Sequence, residues 1–253
     1  MHTLATDLDG TIYIEDKLID QVKESHNELL NKGIKILYTT NNSSQNPLRI
    51  QKKLEQLLEI KIDVDSVITP LKVLSEYLRD NKFKIFTYGS DDLTEYINGI
   101  SNVTVNINEA DLVLIGRKEN IDQKNISDII NHAKKGKKIF GMNKDLTFPT
   151  YNNKEKRGNG FVLKIIEDAV GIDINTFGKP DIFYFNYIIN KFKRIEFMIG
   201  DRVDTDIVLG NNLNATTFLV NSSVKNHMKN NIPDYKFTNF SECVSFILKN
   251  FYK

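Results

Sequence analysis

Short apolar runs alternate with amphipathic stretches along the first third of the chain, and that alternation leaves few folds open. Residues 3–8 form an apolar run ending in charge, and 19–31 carry apolar residues at helical spacing up to Gly33. Residues 34–38, Ile-Lys-Ile-Leu-Tyr, read as a buried strand. A helix over 47–58, a brief strand over 67–69 and a helix opened by Pro70 and running to Asp80 continue the series. Strand, helix, strand, helix in this order predicts a parallel sheet with right-handed crossovers, an α/β doubly wound, Rossmann-like core.

The same alternation returns near the C-terminus, with helices over 181–192, 204–213 and 240–248 and strands over 195–199 and 216–220. The middle is more mixed. Strands are predicted over 84–88, 103–105, 112–115 and 138–140, and helices over 93–97, 122–133 and 160–170. A long polar loop is predicted over 142–159. The break near residue 80 and the recovery near 177 predict a discontinuous core, 1–80 with 177–253, and an inserted α/β domain over 81–176.

Composition narrows the function. A formal net charge of +1 with 26 % charged residues argues against a general binder of nucleic acid or anionic membranes. The single cysteine, Cys243, permits no intramolecular disulfide and suggests a reducing compartment. No apolar run approaches the ~20 residues of a membrane span, and the N-terminus lacks a secretory pattern. A cytoplasmic protein is the expectation. His2, His26, His132 and His227 show no metal or triad spacing.

Four polar segments carry the chemistry. In Asp7-Leu8-Asp9-Gly10 an apolar strand delivers two carboxylates at i and i+2, which point the same way on an extended backbone. In a parallel α/β sheet ligands bind beyond the carboxyl ends of strands. A divalent cation would remove the repulsion between two such anions, and oxygen-only ligation without nearby His or Cys favours Mg²⁺. Alone, the segment reads first as an Asp-Gly turn capping a helix. Thr39-Thr40-Asn41-Asn42-Ser43 follows the second strand and offers a hydroxyl and amides suited to phosphate oxygens, or simply a helix cap. Gly178-Lys179-Pro180 puts a lysine in the entry turn of a helix, where it could neutralise a phosphate and a carboxylate together or remain a solvated surface group. Gly200-Asp201-Arg202-Val203-Asp204-Thr205-Asp206 follows a strand; a preference for acids at helix starts explains Asp204 better than Asp201. In one doubly wound sheet the four segments converge on one edge, with the groups needed for phosphoryl transfer through an aspartyl phosphate.

The order and spacing of these segments resemble the haloacid dehalogenase superfamily of phosphatases along the whole chain. Asp7-Leu8-Asp9-Gly10-Thr11 resembles its first motif, Thr40-Asn41-Asn42 its second, Lys179 its third and the 200–206 segment its fourth. In detail the chain is most similar to the NagD-like, 4-nitrophenylphosphatase group, including 143–150, which looks like part of that group's large α/β cap inserted between the second and third motifs. Two features depart from the group. Gly116-Arg117-Lys118 stands where relatives often have an acid after the glycine, and Arg157-Gly158-Asn159-Gly160 replaces a more usual Pro-Gly-x-Gly turn.

The resemblance implies a Mg²⁺-dependent hydrolase of small phosphomonoesters. Asp7 would be the nucleophile, and Asp9 the acid to the leaving alcohol and then the base to water. Mg²⁺ would sit on the Asp7 carboxylate, the Asp9 backbone carbonyl and the Asp201 carboxylate, with Asp206 orienting a water from behind them. Thr40 and the Asn41 amide would hold phosphoryl oxygens, and Lys179 would neutralise the phosphate and orient Asp7. Asn143, Asp145 and Arg157 are candidates for reading the leaving group. A phosphotransferase of the mutase type and an idle phosphate-binding regulator are the competing expectations. The partner expected is a small phosphorylated metabolite, with neither nucleic acid nor membrane.

Overall fold

A computed structural model describes residues 2–149, 155–222, 226 and 232–252. Thr150 and His227, singled out above, lie outside the described residues, as do 151–154 of the polar 142–159 segment. The chain opens with β1 (Thr3–Asp7), a small hairpin of β2 (Tyr13–Ile14) and β3 (Lys17–Leu18), α1 (Val22–Asn31), β4 (Lys35–Thr39), α2 (Pro47–Leu58), β5 (Val67–Ile68) and α3 (Pro70–Arg79). Next come β6 (Lys84–Tyr88), α4 (Asp91–Asn98), β7 (Asn102–Val103), β8 (Leu112–Ile115), α5 (Gln123–Lys134), β9 (Lys138–Gly141), a hairpin of β10 (Thr147–Pro149) and β11 (Glu155–Arg157), and α6 (Asn159–Val170). The last part holds α7 (Ile182–Lys191), β12 (Phe197–Gly200), α8 (Val208–Asn212), β13 (Thr216–Val220), β14 (Tyr235–Phe237) and α9 (Phe240–Phe251).

Two parallel sheets organise these elements. One has six strands in the order β14-β13-β12-β1-β4-β5, and the other four in the order β7-β6-β8-β9. All pairings within both are parallel. The strand alternation of period 2 splits the larger sheet's side chains between two cores. Leu4, Ile36, Tyr38, Phe197 and Ile199 pack on one face with Val22, Leu54 and Val244 from α1, α2 and α9. Ala5, Leu37 and Met198 pack on the other with Leu74 and Tyr184 from α3 and α7, and with Ile85 and Leu112 from the smaller sheet.

The order in which strands are added to the larger sheet reverses between β1 and β12: the strands after β1 are added outward on one side, β4 then β5, and those from β12 outward on the other. That is a topological switch point, where the crossovers part and leave a crevice at the carboxyl ends of the strands. Asp7 ends β1, Thr40 follows β4 and Asp201 follows β12, so all three border that crevice.

Three predicted features differ. The 142–159 loop contains the β10–β11 hairpin, paired Thr147 to Arg157 and Phe148 to Lys156. The strand over 103–105 is β7 at 102–103, and Val105 is 95 % exposed. The helix over 204–213 begins as a π-helical turn over Val203–Ile207 before α8. The cause is visible in the bonds: the Asp206 and Ile207 amides both donate to the Arg202 carbonyl, while the Asp206 carboxylate turns back to accept from the Arg202 amide at 3.1 Å. No helix among the described residues is long and apolar enough to cross a membrane.

Candidate active site

The turn after β1 is built around Gly10. Its φ of +92° is open to glycine, and a Cβ there would stand 2.5 Å from an Asp201 carboxylate oxygen. The Gly10 amide donates to the Tyr13 carbonyl at 2.8 Å, and the Leu8 carbonyl accepts from the amides of Thr11, Ile12 and Tyr13. This winds the chain tightly, brings Asp7 and Asp9 to the crevice and lets the β12 turn close against them.

Lys179 joins the motifs. Its ammonium donates to Asp7 Oδ1 at 2.6 Å, to Asp206 Oδ1 at 2.7 Å and to the Thr39 carbonyl at 3.2 Å. Only 2 % of the residue is exposed. Burial alone would lower the lysine's pKa, but Asp206 and Asp7 reverse this and hold it above the ordinary value, so the group is a fixed cation. The backbone N–H of Lys179 donates to Asn41 Oδ1 at 2.7 Å, and a cis peptide links Lys179 to Pro180.

Asp7, Asp201 and Asp206 place carboxylate oxygens within 4.8 Å of one another, all three buried. Burial pushes the Asp7 carboxyl well above the usual range; Lys179 pulls it down, and Asp206 and Asp201 push it up. Burial, with Asp206 next, raises Asp201 to about 7, opposed by the Ser222 side chain, Arg202 and Lys179. Neither Asp201 carboxylate oxygen has a hydrogen-bond partner of good geometry among the described residues. Three buried carboxylates close to one lysine, an excess of negative charge over the nearest cation, fit a hard divalent cation. Both oxygens of Asp206 are committed, to Lys179 and to the Arg202 amide.

Asp9 lines the same cavity of about 470 Å³ as Asp7, Thr40, Asn41, Lys179 and Asp201. Burial raises its pKa, opposed by Lys53, Lys179 and the Tyr13 hydroxyl. Thr40 is buried, and its hydroxyl accepts from the Asn42 amide at 3.0 Å. The Asn41 side chain is fully used. It donates to Asp145 Oδ1 at 3.0 Å and to the Lys179 carbonyl at 3.2 Å, and accepts from the Lys179 amide. Only its backbone N–H, the group assigned to phosphate from the sequence, has no acceptor among the described residues. Asn143 and Asp145 line the cavity, whereas Arg157 sits over the Phe161 ring at 4.6 Å and takes no part in that lining.

Sequence reasoning missed several supports. Asn226 braces the turn after β12, donating to the Asp201 carbonyl at 2.8 Å and accepting from the Val203 amide at 2.7 Å. Asn159, buried at the start of α6, donates to the Ile115 and Asn143 carbonyls, both at 3.0 Å. Arg202 pairs with Asp204 at 3.0 Å and reaches the Thr147 carbonyl at 3.3 Å, tying the turn to the β10–β11 hairpin. No local signal in the sequence marks Asn226, which lies 25 residues from the carbonyl it braces.

Comparison with known proteins gives a consistent picture. A haloacid dehalogenase-like hydrolase family model matches residues 4–101, and a second, HAD-hydrolase-like model matches 176–243. An acid sugar phosphatase of Staphylococcus aureus is 27 % identical over 251 residues, covering 94 % of this chain and 95 % of the relative. A p-nitrophenyl phosphatase from Archaeoglobus fulgidus shares the fold with a TM-score of 0.84 at 20 % identity, over 96 % of this chain and 98 % of that one. A glycerol phosphate phosphatase from Mycobacterium tuberculosis, in complex with calcium, shares it with a TM-score of 0.79 at 20 % identity, over 94 % of this chain and 73 % of that one.

Proposed function

This chain belongs to the haloacid dehalogenase superfamily as a phosphatase of the NagD-like, 4-nitrophenylphosphatase group, and on that footing we propose that it hydrolyses small phosphomonoesters through an aspartyl phosphate on Asp7. The observation that carries the reading is the state of the Asp7 carboxylate. Lys179 fixes Oδ1 at 2.6 Å, while Oδ2 meets only the Thr11 hydroxyl at 3.4 Å. Among the described residues these are the only hydrogen bonds to its side chain, so one oxygen is firmly anchored and the other is held weakly.

The steps use this chain's own groups. The Asp7 carboxylate attacks phosphorus, the ester P–O bond breaks, and the leaving oxygen takes a proton from Asp9. Asp9 then takes a proton from water as that water attacks phosphorus, the bond to Asp7 breaks, and inorganic phosphate leaves. The raised pKa of Asp9 supports its proton-donating role. Thr40 and the Asn41 N–H, from residues lining the same cavity, would receive phosphoryl oxygens, and Lys179 keeps a positive charge beside the reacting carboxylate. Mg²⁺ would be held by the Asp7 and Asp201 carboxylates and the Asp9 carbonyl, with Asp206 supporting them, and when bound it supplies positive charge to the phosphoryl group. The calcium complex of the mycobacterial relative supports a divalent cation here.

The inserted segment, 81–176, would act as a cap that shapes the leaving-group side of the cavity. The decisive assay is phosphate release from 4-nitrophenyl phosphate with Mg²⁺ and with a chelator. Metal-dependent release that is lost in Asp7→Asn supports the reading; activity retained in Asp7→Asn refutes it. Free phosphate as the main product excludes phosphotransfer to a second sugar.

A further inference from the structure

The cavity that holds the catalytic groups is also lined by a cation that the hydrolysis itself does not need. Arg117 follows β8, an inner strand of the second parallel sheet, at its carboxyl end. It is half-buried and lines the same cavity as Asp7 and Asp9. Its guanidinium lies over the Phe148 ring, 4.7 Å from the centroid, and it makes no ion pair among the described residues.

Three other cations of the cavity are engaged. Lys179 holds Asp7 and Asp206, Arg202 pairs with Asp204, and Lys53 pairs with Asp16 at 3.2 Å. Lys156 stands directly opposite Phe148 in the β10–β11 hairpin, which puts both on one face, and it too makes no ion pair among the described residues. The carboxylates of Glu15 and Glu119 also line the cavity, both from exposed residues. Stacking occupies only the flat face of a guanidinium. The in-plane N–H groups stay available, in a fork that matches a carboxylate or phosphate.

We infer that the preferred substrates carry a second anionic group, a carboxylate or a second phosphate, which Arg117 receives while the first phosphoryl group meets Asp7. Lys156 adds charge from the rim. The inference rests on the phosphatase reading above and narrows its substrate class.

The test compares kcat/KM for matched esters in the Mg²⁺-loaded enzyme. One pair is 3-phosphoglycerate against glycerol 3-phosphate; the other is glucose 1,6-bisphosphate against glucose 1-phosphate. Wild type is expected to favour the doubly anionic member of at least one pair by roughly tenfold or more, the scale of a charge-assisted bond. The pair that shows it identifies the anion. Arg117→Ala is expected to erase that preference while leaving glycerol 3-phosphate and 4-nitrophenyl phosphate within about threefold of wild type. No preference in either pair, or an equal loss on all esters in Arg117→Ala, overturns the inference with the phosphatase reading intact. No phosphate release from any ester overturns both.

Discussion

Replacing Lys179 by methionine tests the electrostatic logic of the site while keeping side-chain bulk. The ammonium holds two buried carboxylates, Asp7 at 2.6 Å and Asp206 at 2.7 Å, with its side chain 1 % exposed. Removing one partner of a buried ion pair costs about 3–5 kcal/mol, because the remaining charge stays buried without compensation. For a chain of this size each kcal/mol moves the melting temperature by roughly 2–4 °C, so a fall of about 6–20 °C is expected in chelator at pH 8. The deficit should shrink at pH 5.5. Burial already holds the Asp7 pKa above its unfolded value, and loss of Lys179 raises it further. A carboxyl raised in this way binds protons more tightly when folded, so its unfavourable contribution grows as pH rises and fades as pH falls. Adding Mg²⁺ should return part of the loss, about 2.7 kcal/mol at a hundredfold excess over Kd. Differential scanning calorimetry at both pH values, with and without Mg²⁺, measures all of this. A variant melting within 2 °C of wild type in chelator at both pH values would refute the argument that Lys179 offsets the carboxylate cluster.

Other perturbations separate the remaining parts of the site. Asp9→Asn should lower kcat by about 10²–10⁴ while its Mg²⁺ affinity, followed by calorimetric titration, stays within a fewfold of wild type; a collapse of metal affinity would place the Asp9 carboxylate among the ligands. Gly200→Ala would set a Cβ 2.3 Å from the Asp206 Cβ, so it should displace that carboxylate and cut activity at least tenfold; unchanged turnover would show that the position of Asp206 is unimportant. His26 is fully buried, with Nε2 against the Tyr38 hydroxyl at 2.6 Å and Nδ1 unpartnered, and burial lowers its pKa to about 4. The folded chain then binds fewer protons than the unfolded one between pH 6.5 and 4, so stability falls as pH drops through that window by up to about 3 kcal/mol. Urea unfolding across it should show a shallower decline in His26→Gln; parallel curves would sink the assignment.

The groups that carry the chemistry were legible because each lies where an apolar run stops. Asp7, Thr40 and Asp201 follow β1, β4 and β12, and a parallel sheet brings such ends to one edge whatever lies between them in sequence. The elements that went unread are those whose signal is too short for a period to show. The strands of the β2–β3 hairpin have two residues each, β14 is Tyr-Lys-Phe, and β10 ends in a proline that argues against a strand. The π-helical turn over Val203–Ile207 was unreadable for a different reason. Its acids suit the start of any helix, and the Asp206 carboxylate that folds back on the Arg202 amide is also held by Lys179, 27 residues earlier.

The contrast between Asn41 and Asn226 shows what kind of information a sequence of this length holds back. Asn41 sits in a motif and was assigned to phosphate, yet its side chain spans 138 residues to reach Lys179 and 104 to reach Asp145. That side chain fixes the lysine, and the backbone N–H is the part of the residue proposed for the ligand. Asn226 sits in no motif and braces the Asp201 turn from 25 residues away. Reacting groups are constrained in type by the reaction, so their identity and strand-end position expose them. Groups that hold them need only a donor and an acceptor at the right distance, which many side chains offer, so tertiary contact alone selects them. Arg117 belongs with the second kind in sequence, one cation among many. Its meaning comes from the ring it rests on and the carboxylates it shares a cavity with. Substrate choice in this chain is therefore expected to lie in such contacts, where substitution changes the ratio between esters before it changes the chemistry at Asp7.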